Sequence, residues 1–340
     1  MIATTPADIL RFVLARYEEG LETVLVTLTA IEGSSPRAIG AQMAVAQDGR
    51  YAGSFSGGCI EAAVVTEAIG TLSGGRAKLV RFGAGSPYLD IRLPCGGGID
   101  LLFSPRPDPH AIAHALSRHG RREMAVLRLA DDGVHSAAAG EGLPTGWHAG
   151  GFHLCLAPGL RIVAMGQGEE LRALARLGAA FGADVSIMSP DERALADLDA
   201  AGFHTIRLAT RTILPPVVTD RWTAILSLFH DRDWEEELLP RALHLPAFYV
   251  GAIGSRRTQS LRRDALRDAG VSEALRRKLR TSVGLIPATR DPATLALSAL
   301  SEIVQEYHRI GEAVADGACE RGRTAACAGP MQGEELTGPG

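Results

Sequence analysis

Nowhere in this chain do roughly 20 apolar residues run together, the length a membrane span requires. No CxxC pair occurs among its five cysteines (Cys59, Cys95, Cys155, Cys319 and Cys327), which argues against a structural zinc site. The start of the chain lacks a basic segment leading into an apolar block and a small-residue cleavage site, so no secretory signal is expected. Without an export signal, an odd and irregularly spaced set of cysteines reads as reduced thiols in the cytoplasm. Nor does charge of one sign dominate. A formal net charge of −4 over 340 residues gives no general attraction to nucleic acid or to an anionic membrane. No internal repeat recurs at a fixed period.

What is present is globular material. Hydrophobic residues at 46% and charged residues at 22% exclude a mostly disordered chain, and the length accommodates two domains with separate cores. Thr5-Pro6-Ala7-Asp8 combines an N-cap, a proline at the first helical position and an early acid, with Ile9, Phe12, Val13 and Tyr17 on one helix face. Residues 23–30, 42–46, 77–82, 99–103 and 124–129 are apolar runs between turn signals and are predicted strands, with a helix over 60–72. Residues 131–151, rich in Gly, Ala and His, read as an exposed connection. Beyond them, short strands at 161–165, 184–188, 205–208, 224–228 and 248–250 alternate with helical stretches, the pattern of a doubly wound parallel sheet. Asp291 and Pro292 start a final helix with Leu295, Ala299, Ile303 and Val304 on one face. The expected class is α/β. A mixed-sheet N-terminal domain built around one sheet (1–150) precedes a Rossmann-like doubly wound parallel-sheet domain (151–310) and a flexible tail (311–340).

Three glycine-bearing segments stand out in the first domain. In Gly53-Ser54-Phe55-Ser56-Gly57-Gly58-Cys59-Ile60-Glu61 an extended stretch turns through two glycines into a helix. Glycines let the chain turn sharply and let a ligand approach the backbone, while a helix N-terminus favours an anion and eases ionisation of a thiol. On the residues alone, Cys59 is equally well a small buried hydrophobe at a tight helix start. Leu93-Pro94-Cys95-Gly96-Gly97-Gly98 frames a second cysteine, where the glycines also suit a bulge or a sharp turn into a strand. In Glu32-Gly33-Ser34-Ser35-Pro36-Arg37, Arg37 either clamps a phosphate or carboxylate or is an exposed turn residue.

In the second domain, Gly166-Gln167-Gly168 occupies the place of a dinucleotide fingerprint but is incomplete. Leu171 stands where the third glycine belongs, Glu169 and Glu170 put negative charge where a pyrophosphate would lie, and Ser189-Pro190-Asp191 supplies no clean ribose-binding acid. These residues argue against bound NAD(P). His230, Gly254, Ser255 and Arg256 follow strands and should share the crevice edge, with Arg256 facing an anion. His230 reads equally as an interdomain hydrogen-bonding residue, and Arg262-Arg263 as solvated helix surface.

Taken together and in order, the segments around Arg37, Cys59 and Cys95 resemble the N-terminal signature of the XdhC/CoxI family. Tyr249-Val250-Gly251-Ala252-Ile253-Gly254-Ser255-Arg256-Arg257-Thr258 and Val283-Gly284-Leu285 resemble the same family's Rossmann-like domain. The resemblance implies an accessory protein, not an enzyme. Such a protein binds molybdenum cofactor (molybdopterin or its cytosine dinucleotide form), supports its sulfuration or final modification, and delivers it to an apo molybdenum hydroxylase. It implies a cysteine desulfurase as a further partner, and self-association as a homodimer is compatible with such a role. By this likeness Cys59 and Cys95 are the candidate molybdenum contacts. Ser56, Gly57, Gly58, Glu61, Arg37, Gly96 and Gly97 are candidate cofactor contacts in the first domain, and Gly166, Gly168, His230, Gly254, Ser255 and Arg256 in the second. The alternative is an NAD(P)-dependent oxidoreductase using the second domain, against which the incomplete glycine turn counts.

Overall fold

The computed structural model describes residues 5–86, 96–137, 144–287 and 290–326, with side chains as far as Gly311. These fall into two compact units that divide between Ala157 and Pro158.

The first unit runs α1 (Pro6–Glu18), β1 (Thr23–Glu32), β2 (Gln42–Ala46), β3 (Tyr51–Gly53), α2 (Glu61–Gly74), β4 (Lys78–Gly83), β5 (Gly98–Pro105), α3 (Pro109–Gly120), β6 (Ala125–Ala130), β7 (Gly133–Ala137), β8 (Gly146–His148) and β9 (Gly151–Leu156). Two antiparallel sheets stand where the sequence suggested one, ordered β3-β2-β1-β5-β4 and β7-β6-β9-β8. The 131–151 segment, expected to be an exposed connection, contributes β7 and β8. Val134 there is buried, and Trp147 lies edge-on to Phe152. Gly, Ala and His dilute the alternation that marks a strand, and only cross-strand partners reveal it.

Alternation along β1 builds two cores. Val24, Val26 and Leu28 pack with Ile60, Val64 and Ala68 at α2, while Leu25 joins Ile9, Leu10 and Val13 of α1 and Ile112 of α3 on the opposite face. The start of α1 is fixed by a reciprocal cap, in which Asp8 N–H donates to Thr5 Oγ1 at 3.3 Å and Thr5 N–H to the Asp8 carboxylate at 2.9 Å. Tyr17, expected on the buried face, is exposed at the last turn, beyond the reach of that core.

The second unit runs β10 (Arg161–Gly166), α4 (Glu169–Phe181), β11 (Asp184–Ser189), α5 (Glu192–Ala200), β12 (His204–Arg207), β13 (Thr223–Leu228), α6 (Arg232–His244), β14 (Tyr249–Ala252), α7 (Arg256–Asp268), α8 (Glu273–Arg276), β15 (Leu279–Arg280) and α9 (Pro292–Ala326). Its sheet is parallel throughout and ordered β12-β11-β10-β13-β14-β15, the doubly wound arrangement with its switch point between β10 and β13. Ile162 and Ala164 face a core with α4, α5 and α9, and Val163 and Met165 face one with α6 and α7. Helix α9 is capped by Asp291, which accepts from Thr294 N–H at 2.7 Å. Its backbone continues past Ile310, where composition suggested a flexible tail, as far as Ala326. Among the described residues no helix is long and apolar enough to cross a membrane.

Candidate functional site

Antiparallel register gathers three motifs that lie far apart in the chain. Glu32 at the end of β1 pairs with Gly98 at the start of β5, and Gly83 at the end of β4 pairs with Gly98 from the other side. Gln42 opens β2 opposite Thr27, and Gly53 closes β3 opposite Met43. Residues 33–41, 54–60, 84–86 and 96–97 therefore adjoin one end of the sheet. They carry Arg37, the Ser56–Cys59 turn, and Gly96 with Gly97. Cys95 lies outside the described residues.

The 54–60 turn is built around Glu61, the first residue of α2. Its side chain is only 4% exposed and folds back under the turn. One carboxylate oxygen accepts from Ser54 Oγ (2.8 Å), Phe55 N–H (2.9 Å) and Ser56 N–H (2.8 Å). The other accepts from Ser56 Oγ (2.8 Å), Gly58 N–H (2.7 Å) and Ile60 N–H (3.3 Å). Ser54 Oγ takes Gly57 N–H at 3.0 Å, and Ser56 Oγ takes Cys59 N–H at 3.0 Å and Ile60 N–H at 3.1 Å. Every backbone donor from Phe55 to Ile60 is thus engaged within the turn. Burial pushes the Glu61 carboxyl up, but the donors of Ser56 and Ser54 outweigh it and hold the group at about 2.

Two expectations change here. Glu61 does not face a ligand; it is the internal anion that the turn's N–H groups enclose. For the same reason, the N–H groups of Ser56, Gly57 and Gly58 are not open to a phosphate. What the turn presents is the Cys59 thiol, exposed and free, between two anchors, Phe55 and Ile60, that are both buried in the α2 core. Gly57 and Gly58 have φ values of +74° and +121°, and a Cβ on either would meet nothing within 4 Å. Their role is conformational, and they leave open space beside the thiol.

The backbone at Gly97 touches that of the segment after β1. A Cβ on Gly97 would lie 2.6 Å from the Glu32 carbonyl oxygen and 2.9 Å from that of Ser34, so only glycine permits this approach. Ser35 Oγ accepts from Arg37 N–H at 3.2 Å and donates to the Arg37 carbonyl at 3.0 Å, fixing the turn. The half-buried Arg37 guanidinium has no hydrogen bond or ion pair among the described residues. Among those residues no three His, Cys, Asp or Glu side chains come together as a metal site.

At the switch point of the second unit, Gly166 is required by contact. Its Cβ would fall 2.8 Å from Leu228 Cβ and 2.9 Å from the Leu228 carbonyl carbon. Gly168 starts α4 with φ +85° and no side-chain cap, and Glu170 Oε2 lies 3.2 Å from where its Cβ would be. Glu170 also meets His230 Nε2 at 3.4 Å across the switch point. A carboxylate therefore sits where a dinucleotide's pyrophosphate would approach, which gives physical form to the objection raised by the glycine turn. His230, Gly254, Ser255 and Arg256 do come together, around a groove beyond the ends of β13 and β14.

Residues 17–83 match the description "XdhC and CoxI family", and residues 162–303 match "XdhC Rossmann domain". The chain is also 37% identical over 295 residues, 87% of its length and 86% of the relative's, to an Escherichia coli K12 protein named molybdenum cofactor insertion chaperone PaoD. The chain belongs to the XdhC/CoxI family. A second E. coli K12 relative, the uncharacterized protein YqeB, is 24% identical over 304 residues; the match covers 85% of this chain and 44% of YqeB. A Bacillus halodurans protein described as a xanthine dehydrogenase shares the fold with a TM-score of 0.71 at 18% identity, over 90% of this chain and 96% of that one.

Two residues of this XdhC/CoxI chain escaped sequence reasoning. Arg81 on β4 ties the loop bases together: it pairs with Glu32, meets Asp100 at 3.3 Å and donates to the Ala84 carbonyl at 2.7 Å. A Cβ on Gly98 would lie 2.8 Å from its guanidinium, so that glycine leaves room for the arginine to cross. Nothing local marks Arg81, because its acidic partners come from two other strands, β1 and β5. Arg262, read as solvated surface, is 4% exposed. It donates to Glu235 at 2.7 Å and to the Ile253 carbonyl at 2.7 Å, and Ser227 Oγ donates to the other Glu235 oxygen at 2.9 Å. Burial pushes the Glu235 carboxyl above its usual range, opposed by Arg262.

Proposed function

We propose that this protein binds molybdenum cofactor as cargo, supports its sulfuration or an equivalent final modification, and delivers it to an apo molybdenum hydroxylase. The observation that carries this reading is the similarity, across most of both chains, to a protein named as a molybdenum cofactor insertion chaperone. The geometry of the first unit supports it. An exposed thiol held on a rigid turn suits contact with a molybdenum–sulfur centre, because thiolate is a soft ligand. The Arg37 guanidinium at the same sheet end, unpaired among the described residues, suits the cofactor's phosphate. Gly96 and Gly97 shape the neighbouring wall, and Cys95 supplies a second thiol. A cysteine desulfurase is the sulfur donor in this scheme, and the chain acts as a homodimer.

The experiment is to load the purified full chain with molybdenum cofactor, measure retention after gel filtration, and then follow activation of an apo-hydroxylase. Cys59→Ala and Arg37→Ala should each reduce retention and activation while leaving thermal stability unchanged. Wild-type levels of both in Cys59→Ala would remove the thiol from the function. Absence of retention by the unaltered chain would overturn the cargo reading itself.

A further inference from the structure

We infer that the groove beyond β13 and β14 is a binding site for a phosphorylated nucleoside, displaced by one strand from the usual dinucleotide seat. The groove encloses about 860 Å³, within the roughly 300–1,000 Å³ common for small-molecule sites. It lies outside the C-terminal ends of parallel strands, where doubly wound sheets take ligands.

Its chemistry is two-sided. The cation of the lining is Arg256, which is exposed and has no ion pair or side-chain hydrogen bond among the described residues; His230 beside it meets Glu170. Glu235, the acid lining the floor, has one oxygen taken by Ser227 and the other by Arg262, so the unopposed charge facing the groove is positive. The lining also carries apolar surface, with Leu285 52% exposed, Ile286 45% exposed, and Phe229. A diphosphate against Arg256 and a flat base against the Leu285–Ile286 wall satisfy both sides at once. Neither an apolar ligand nor a bare inorganic anion would use the whole groove.

The walls are already set. Ile286 N–H donates to Ser298 Oγ of α9 at 2.7 Å, and Gly284 N–H donates to Glu302. Gln259 joins the Gly254 carbonyl, at 3.2 Å, to that of Thr281. Glu170 over the start of α4 explains the displacement: it repels phosphate at the switch point, one strand away.

The test is isothermal titration of the full chain, without molybdenum cofactor, using CDP, ADP and inorganic pyrophosphate as probes. Saturable binding of a nucleoside diphosphate is expected, weakened about tenfold or more by Arg256→Ala and reduced by added salt. Leu285→Asp should weaken CDP and ADP while sparing pyrophosphate. The proposal is overturned if no probe saturates, or if Arg256→Ala binds as the unaltered chain does. It is equally overturned if Glu170→Ala is the variant that creates binding. A second arm, which rests on the cargo reading, distinguishes the ligand's source. If prior loading with the cytosine dinucleotide form of the cofactor blocks CDP, the groove takes that cofactor's nucleotide end; if CDP still binds, it takes a free nucleotide. Both results support the groove, and the first arm stands whether or not the cargo reading does.

Discussion

Glu61 and Ser56 are joined twice, Ser56 N–H reaching one carboxylate oxygen and Ser56 Oγ the other, each at 2.8 Å. Helix α2 has no side-chain cap at Ile60, and this carboxylate with the Ser56 hydroxyl performs that task from within. Negative charge at a helix start is favourable, and here the same charge organises the turn that displays Cys59.

Glu61→Ala strands the donors of Phe55, Ser56 and Gly58 without partners and should cost about 2–4 kcal/mol. Urea unfolding measures the loss, and hydrogen exchange should show the amides of residues 55–60 losing protection while the β1 amides keep theirs. Unchanged exchange in the turn would contradict the role assigned to Glu61.

The same carboxylate sets an acid limit. Its folded value of about 2 lies below the ordinary 4.5, so its stabilisation is complete above pH 4.5 and disappears as pH falls from there towards 2. The stability gap between the unaltered chain and Glu61→Gln should therefore narrow across that window. Chemical denaturation from pH 7 down to pH 3 checks this, and a constant gap counts against it.

Two glycines should fail for different reasons. Gly97→Ala drives a Cβ to 2.6 Å from the Glu32 carbonyl oxygen and should cost about 2 kcal/mol or more. Gly57→Ala meets open space but keeps φ at +74°, so its cost should stay near 1 kcal/mol. Melting temperatures of the two variants should rank accordingly.

Arg262→Ala leaves the buried Glu235 without its partner, a change of about 3–5 kcal/mol. Replacing both, as Glu235→Leu with Arg262→Met, should restore most of that loss, since neither charge then remains to be desolvated. Equal instability in the single and double variants would show that packing, not charge, dominates there.

The glycine motifs, the thiol and the alternation of the second unit were all legible locally. Spacing of Ile162, Ala164, Leu171 and Leu174 announces a buried strand followed by a helix, because each periodicity is written over a few consecutive residues. The 131–151 segment was misread for the converse reason: β7 and β8 are defined by partners in β6 and β9, not by their own composition.

By itself, then, the sequence determined that a glycine-framed Cys59 precedes a helix and that the Gly166–Gly168 turn is an imperfect dinucleotide seat. Only the tertiary structure decided which way the charges face. Glu61 turns inward because six donors converge on it, Arg81 finds partners on β1 and β5 through strand register, and Arg262 is buried because Glu235 awaits it. The partners of Arg81 and Arg262 lie tens of positions away, and the donors to Glu61, though near in sequence, converge only when the turn has folded, so no local pattern carries them.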